Sequence, residues 1–149
     1  MARPIQKFER FYAKSDFSLA GAATAVTTTA FQRVGTLTVG AQTEATFGAG
    51  AIASGVDFRR NVVIDFKDNA GTPANIDNMR VRFVITNAQE TRRVVVAEEL
   101  SQNLRTGVAL GEFPIRALQD DKLLIEVLPA ANVSIGTTTS ASIPTTIYQ

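Results

Sequence analysis

Three residue types are absent from this 149-residue chain: cysteine, histidine and tryptophan. Without cysteine there is no disulfide framework, no thiolate nucleophile and no cysteine-type zinc site. Without histidine the chain lacks the commonest general base and metal ligand near neutral pH, and a Ser-His-Asp or Cys-His arrangement is excluded. We therefore predict a protein that is not an enzyme, with no catalytic, cofactor or metal site and no small-molecule substrate.

Charge is scarce in two long blocks. Residues 17–56 carry only Arg33 and Glu44 and are dominated by Ala, Thr and Gly. Residues 127–149 carry no charged side chain. Because surface charge keeps proteins soluble, both blocks indicate surface that packs against neighbouring subunits. For the second block, one last strand followed by a frayed Thr/Ser tail is the alternative.

Long apolar runs are also missing. No segment approaches the roughly 18 uninterrupted apolar residues of a membrane span, and residues 1–4 lack the apolar region of a secretory signal. The net charge of +1 does not favour a polyanion as the partner of the whole molecule. A chain of this length supports one compact domain with its own core.

Apolar residues recur at every second position through much of the remaining sequence. The alternation is clearest in residues 61–67, 80–86 and 122–128, which is the pattern of half-buried strands. Turn signals separate these segments, and helical signals are sparse. The pattern predicts an all-β fold, a single antiparallel β-sandwich or barrel. Its predicted core consists of Leu37, Val62, Ile64, Phe66, Val81, Phe83, Ile85, Val94, Val96, Phe113, Ile115, Leu123, Ile125 and Val127.

Three regions follow from this pattern and from the charge distribution. Residues 17–136 form the predicted β domain, whose early part is the charge-poor Ala/Thr/Gly-rich block. Residues 1–16 form an N-terminal arm and residues 137–149 a C-terminal arm. We expect both arms to lie outside the β core, so that deleting either one leaves the melting of the domain nearly intact and weakens assembly.

Helical spacing is visible in two short segments. Ile5, Phe8 and Tyr12 lie three and four residues apart, which favours an amphipathic helix over residues 4–14. Lys7, Arg10 and Lys14 would line one side of that helix, where they could grip an acidic neighbour or make weak contact with nucleic acid. A mobile basic terminus is the alternative. Residues 97–104 favour one or two further helical turns.

Two motifs are weak matches to ligand-binding sites. The glycines of residues 48–55 fit neither the dinucleotide fingerprint nor the P-loop spacing, so a flexible loop is favoured. Residues 65–71 supply oxygen ligands without the spacing of a calcium loop. Turn chemistry accounts for Asp68, Asn69 and Gly71 there.

Arginines are concentrated in the middle of the chain, as Arg59-Arg60, Arg80, Arg82 and Arg92-Arg93. Arg80 and Arg82 must share one strand face because they are two residues apart. If that face is exposed, they could pair with Asp65, Glu90 or a carboxylate of a neighbouring subunit, since arginine binds carboxylates through two hydrogen bonds. Scattered solvated charge is the alternative.

The order of these segments resembles that of small β-rich structural proteins of virus particles. A short basic and aromatic N-terminal segment precedes a charge-poor stretch, a compact β domain and an uncharged tail ending in residues 143–149. The families in question are the single jelly-roll coat proteins and the capsid decoration or cement proteins of tailed phages. The resemblance implies a jelly-roll-like form of the β-sandwich or barrel, location in the virion, assembly with copies of the chain and with other capsid proteins, and termini that exchange between subunits. No site residue is carried over from these families. The basic, aromatic and β-branched residues of the two arms are themselves the expected subunit-interface residues: Lys7, Phe8, Arg10, Phe11, Tyr12, Ile143, Ile147 and Tyr148.

Other functional classes remain open from the sequence. A cell-surface or fibre module of pilin or adhesin type would normally carry a secretion signal. A carbohydrate-binding module would stack sugars on exposed aromatic side chains, and this chain has no tryptophan and only two tyrosines. An enzyme would have to rely on carboxylates.

Overall fold

The computed structural model describes residues 7–13, 23–39, 56–58, 62–68, 70–71, 76–107, 117–118, 120–136 and 139–148. These residues form a mostly β structure in which every strand pairing is antiparallel. The strands are β1 (Lys7–Ala13), β2 (Ala23–Val26), β3 (Gln32–Thr38), β4 (Val56–Phe58), β5 (Val63–Asp65), β6 (Arg80–Thr86), β7 (Arg93–Leu100), β8 (Lys122–Leu128), β9 (Val133–Gly136) and β10 (Ser140–Tyr148). One helix, α1 (Ser101–Arg105), is seen in this part of the chain. The all-β prediction is confirmed.

The strands hydrogen-bond into three sheets. The central sheet has four strands in the order β3-β8-β6-β7. The terminal sheet has the order β1-β10-β4, with β5 paired to the first residues of β10. The small sheet consists of β2 and β9. Strands β6 and β8 therefore lie in the interior of the central sheet, and β3 and β7 form its edges.

The hydrophobic core lies against one face of the central sheet, called here the inner face. On β6 and β8 the alternation directs Val81, Phe83, Leu123 and Ile125 inward, and none of them is more than 2% exposed. The same buried cluster contains Val62, Ile64 and Phe66 from the β5 region. Burying such large side chains supplies most of the driving force for folding.

Ten of the predicted core residues are buried. These are Leu37, Val62, Ile64, Phe66, Val81, Phe83, Ile85, Leu123, Ile125 and Val127. Val96 is partly buried against the core. The prediction for Val94 is wrong, because this side chain is 41% exposed near the start of the edge strand β7. Phe113 and Ile115 lie outside the described residues.

Part of the core comes from segments without strand alternation. Ile76 and Met79, which precede β6, are at most 1% exposed. Ser101 holds this segment in place: its Oγ donates to the Ile76 carbonyl at 2.5 Å, and its backbone N–H donates to the Met79 carbonyl at 2.9 Å. The remaining core residues absent from the prediction are Val34, Val39, Leu104, Ala117 and Ile135.

Both edge strands of the central sheet contain a register shift. In β3 the shift falls between Arg33 and Gly35, so Val34 is the extra residue. In β7, Val95 pairs with Val84 and Ala97 pairs with Phe83, which leaves Val96 as the extra residue. A bulge of this kind turns an additional side chain toward one face of the sheet. It explains why Val34 and Val96 both contact the core.

The two helix predictions are corrected by the structure. Residues 7–13 form a strand, because β1 pairs with β10 along its whole length and those hydrogen bonds override the local helical spacing. Residues 97–100 complete β7, and α1 begins only at Ser101. The helix is followed by Gly107, whose φ of 85° suits a residue without a side chain. Within the described residues, no helix is long and apolar enough to cross a membrane.

The terminal segments form strands of the terminal sheet, so the predicted arms are not confirmed. Ser140–Ser142, at the start of β10, pair with Val63–Asp65 of β5. Ile64 of that strand is 1% exposed and belongs to the core. Part of the predicted C-terminal arm is therefore hydrogen-bonded directly to a core strand.

Phe83 is fully buried at the centre of the inner face, so Phe83→Ala should lower the free energy of unfolding by about 3–5 kcal/mol. Leu118→Ala is the control, because Leu118 is 55% exposed and should change stability by no more than about 0.5 kcal/mol. Urea unfolding measures both. A loss below about 0.5 kcal/mol for Phe83→Ala would place this side chain outside the core.

Candidate interaction surfaces

The outer face of the central sheet carries most of the charged side chains whose contacts the structure describes. Alternation on β6 places Arg80 and Arg82 on this face, opposite to Val81 and Phe83. On β8 the same alternation places Lys122 and Glu126 there. The antiparallel register then sets Arg82 directly across from Glu126.

Glu126 is a buried carboxylate held by two arginines. The residue is 5% exposed. Its Oε1 accepts a hydrogen bond from Arg82 Nε at 2.8 Å, and Arg93 Nη2 lies 2.8 Å from both of its oxygens. Charge-assisted hydrogen bonds of this kind offset the cost of removing a carboxylate from water. Because Arg82 belongs to β6 and Arg93 to β7, Glu126 ties three adjacent strands together.

Phe31 covers two of the arginines. The guanidinium carbon of Arg82 lies 4.0 Å from the centre of the Phe31 ring, and that of Arg80 lies 5.2 Å away. Cations at this distance are attracted to the ring face. Arg80 also donates from Nε to Glu98 at 2.7 Å, which connects β6 to the last part of β7.

A second carboxylate, Glu90, lies at the opposite end of this face in the turn between β6 and β7. It pairs with Arg33 of β3, and Lys122 Nζ lies 3.2 Å from its Oε2. Asn87 stabilises the turn, since its Oδ1 accepts from the backbone N–H groups of Thr91 and Arg92 at 2.9 and 3.0 Å. The resulting set of five cations and three carboxylates is called here the charged face: Arg33, Arg80, Arg82, Glu90, Arg93, Glu98, Lys122 and Glu126.

The expected partners of Arg80 and Arg82 differ from those observed. Both arginines share one face, as predicted. They pair with Glu98 and Glu126, however, and not with Asp65 or Glu90. The partners are set by cross-strand register, which spacing along one strand does not reveal.

Asp65 belongs to a separate group of charges beside α1. Its Oδ2 lies 2.9 Å from Lys67 Nζ, and its Oδ1 lies 3.7 Å from Arg105 Nε. Arg105 also pairs with Asp77. These contacts connect β5, α1 and the loop before β6, which gives the group a structural role.

The segment around Asp68 is a turn, as its residue types predict. Asp68 Oδ1 accepts from the backbone N–H of Ala70 at 2.9 Å, and its carbonyl accepts from Gly71 N–H at 3.0 Å. Gly71 has a φ of 78°, which glycine adopts without strain. No group of three or more carboxylate, histidine or cysteine residues able to hold a metal occurs among the residues the structure describes. Asn69 and the glycine-rich residues 48–55 lie outside the described residues.

The β7 edge exposes two apolar side chains near its start. Val95 is 51% exposed and Val94 is 41% exposed. The strand has eight residues and, within the described parts of the chain, hydrogen-bonds to β6 and to no other strand. Beside its first residues lies a cavity of about 250 Å³ lined by Arg92, Val94 and Leu118 among others. Sequence alternation placed Val94 in the core and so did not reveal this surface.

The predicted subunit-interface residues are brought together by the pairing of the two terminal strands. The backbone register places Lys7 opposite Tyr148, Phe8 opposite Ile147 and Tyr12 opposite Ile143. Arg10 and Phe11 lie between these pairs, opposite Thr145 and Pro144. The two ends of the chain therefore meet in one sheet, and their contact with other subunits stays a prediction.

No protein-family model, curated protein or solved structure matches the chain.

The two carboxylates paired with β6 arginines should contribute differently to stability. Glu126→Gln should lower the free energy of unfolding by about 1.5–3 kcal/mol, because two arginines lose a charged partner that is almost fully buried. Glu98→Gln should cost no more than about 1 kcal/mol, because its ion pair with Arg80 is exposed on both sides.

Urea unfolding at low salt and at 1 M salt distinguishes the two cases. Screening should abolish most of the effect of Glu98→Gln and leave most of the effect of Glu126→Gln. Equal losses for the two variants would contradict the buried bridging role of Glu126.

Proposed function

We propose that this chain is a structural subunit of a virus particle, a capsid coat or decoration protein that works by assembly with copies of itself and with other capsid proteins. The observation that carries the proposal is the pairing of the two chain termini in one sheet through a strand that has no charged residue. β10 is hydrogen-bonded to β1, β4 and β5. In this proposal the chain acts by joining subunits, and the choice of strand partners determines which subunits are joined.

The position of β1 supports exchange between subunits. Within the described parts of the chain, its strand partner is β10 alone. Because both strands lie near chain ends, β1 of one copy can replace β1 of another with the same backbone hydrogen bonds. Such an exchange forms an oligomer at little cost in free energy. Basic and aromatic residues in the N-terminal segment favour docking through apolar anchors with charge steering.

The distribution of charge also supports assembly. Of the chain's 29 charged side chains, 21 lie between residues 57 and 126. The C-terminal 23 residues have none, although β10 forms nine residues of regular strand there. An uncharged strand at a sheet's centre, next to an exchangeable edge, fits an interlocking joint better than a solvated surface.

The architecture that accompanies this proposal is a jelly-roll-like sandwich. Its support is the shared core: Leu37, Phe83 and Ile125 of the central sheet lie in one buried cluster with Ile64 of β5 and Ile135 of β9. Strands assigned to three sheets thus enclose a single apolar interior, as the layers of a sandwich do.

Deleting residues 1–16 should weaken assembly and change the melting temperature little, because β1, the described part of this segment, is an edge strand of the terminal sheet. Deleting residues 137–149 should lower the melting temperature clearly as well, because β10 also pairs with β4 and β5. Thermal unfolding measures the melting temperature. Sedimentation and electron microscopy of the concentrated protein, alone and with the products of neighbouring genes, measure assembly.

A peptide of residues 1–16 provides the control for the N-terminal deletion. Added in excess, it should occupy the vacated edge of β10 and compete with exchange between chains, whereas a scrambled peptide should have no effect. Full assembly by the shortened chain would contradict the exchange mechanism. A full-length chain that forms no assembly under either condition would contradict the proposed function itself.

A further inference from the structure

The β7 edge has the properties of a strand that accepts another strand. It is eight residues long, carries Val94 and Val95 exposed near its start, and has one hydrogen-bonding side that no described strand occupies. Exposed apolar edges are sites of strand addition. Natural proteins usually protect such edges with charges and bulges. β7 has both, and their arrangement decides which partner fits.

The charges of β7 are divided by sign between its two ends. Arg92 and Arg93 stand at the beginning, Glu98 and Glu99 stand near the end, and the residues between them are apolar. A parallel copy of this strand would place like charges together. An antiparallel copy places arginines opposite glutamates at both ends. The charges therefore disfavour most other strands and favour a second β7 in the antiparallel direction.

The bulge at Val96 is compatible with this pairing. If the twofold axis passes beside Val95, Val95 of one copy lies opposite Val95 of the other copy. A bulge places two residues of the bulged strand opposite one residue of its partner strand. With Val96 as the extra residue, Arg93 comes opposite the partner subunit's Glu98 and Arg92 opposite the partner subunit's Glu99. Arg93 and Glu98 belong to the outer face, where they contact Glu126 and Arg80, so the facing side chains lie on the same side of the joined sheet.

The charged face then continues across the axis. Within one chain, ion pairs join Arg82 to Glu126 and Glu126 to Arg93, and Arg93 lies on the edge strand β7. Across the axis the next charges are the partner subunit's Glu98 and the partner subunit's Arg80, which keep the alternation of sign. The Arg93 and Glu98 side chains are 43% and 39% exposed, so each has room for a second partner beside its existing one.

We propose that β7 pairs antiparallel with β7 of a second copy of this chain, forming a twofold dimer whose central sheets join into one eight-stranded sheet. The inference goes beyond the proposed function because it uses the β7 edge and neither terminal strand. A twofold contact of this kind closes at two copies. It accounts for a dimer, whereas exchange of the terminal strands accounts for larger assemblies.

A charge-reversal pair tests the dimer with the full-length chain. Arg92 makes no ion pair among the described residues, so its reversal leaves the charged face intact. Arg92→Glu alone places two like-charge pairs across the axis, and so does Glu99→Arg alone. Each variant should raise the dimer dissociation constant by about tenfold or more in sedimentation equilibrium. An equimolar mixture of the two should form a heterodimer of near wild-type affinity, because both cross-axis pairs are then of opposite charge.

Val95→Lys provides a second, independent variant, because it places two lysines together at the axis. Ala131→Lys is its matched control, at an exposed position in the turn after β8, with β6 between that strand and β7. Val95→Lys should abolish the dimer, and Ala131→Lys should leave it unchanged. In the wild type, amide exchange within residues 93–100 should slow as the concentration rises through the dimerisation range. A wild-type chain that stays monomeric, reversals without effect, or a mixture that fails to pair would each overturn the β7 dimer and leave the terminal-strand experiment unaffected.

Discussion

The antiparallel pairing of β6 with β8 is the constraint on which the rest of the structure depends. Its register opposes Phe83 to Ile125 on the inner face and Arg82 to Glu126 on the outer face. A slip by one residue would exchange the two faces and place charges in the core. The core and the buried ion pair thus favour the same register. A shifted register would lose both of them together.

The buried position of Glu126 follows from this register. β8 lies in the interior of the sheet, where its outer face is covered by side chains from both sides, so that Leu124 as well as Glu126 is buried. A carboxylate at such a position is destabilising unless it is paired. Arg82 and Arg93 meet that requirement from β6 and β7, and Phe31 stacks over Arg82 from the segment that enters β3. The polar face of the sheet is in this way as specific in its packing as the apolar one.

Period-two alternation was sufficient to predict the all-β class and most of the inner face, because β6 and β8 are regular and half of each strand contacts one core. The local pattern failed where strand pairing or an edge position determines the structure. Residues 7–13 lie in a segment of helical spacing, and the pairing with β10 nevertheless selects the strand. Val94 follows the alternation and yet is exposed, because β7 is an edge and the bulge at Val96 changes which residues face the core.

Long-range contacts account for the remaining differences. Ile76 and Met79 enter the core because Ser101, more than 20 residues later, binds their carbonyl groups. No local pattern indicates that contact. The partners of Arg80 and Arg82 likewise depend on strand order, which composition does not determine. The predicted interface residues of the two termini were grouped on charge and hydrophobicity alone, and their direct pairing in one sheet was not foreseen.

Segregation of charge connects these features. The chain has a low proportion of charged residues, 19%, and those described in the central sheet lie mostly on its outer face. This concentration places five cations and three carboxylates together on one face of the central sheet. β10, in contrast, carries no charged side chain, and backbone hydrogen bonds to β1, β4 and β5 define its position. Backbone pairing does not distinguish one copy of a chain from another, and this is the physical basis of the proposed exchange of terminal strands between subunits.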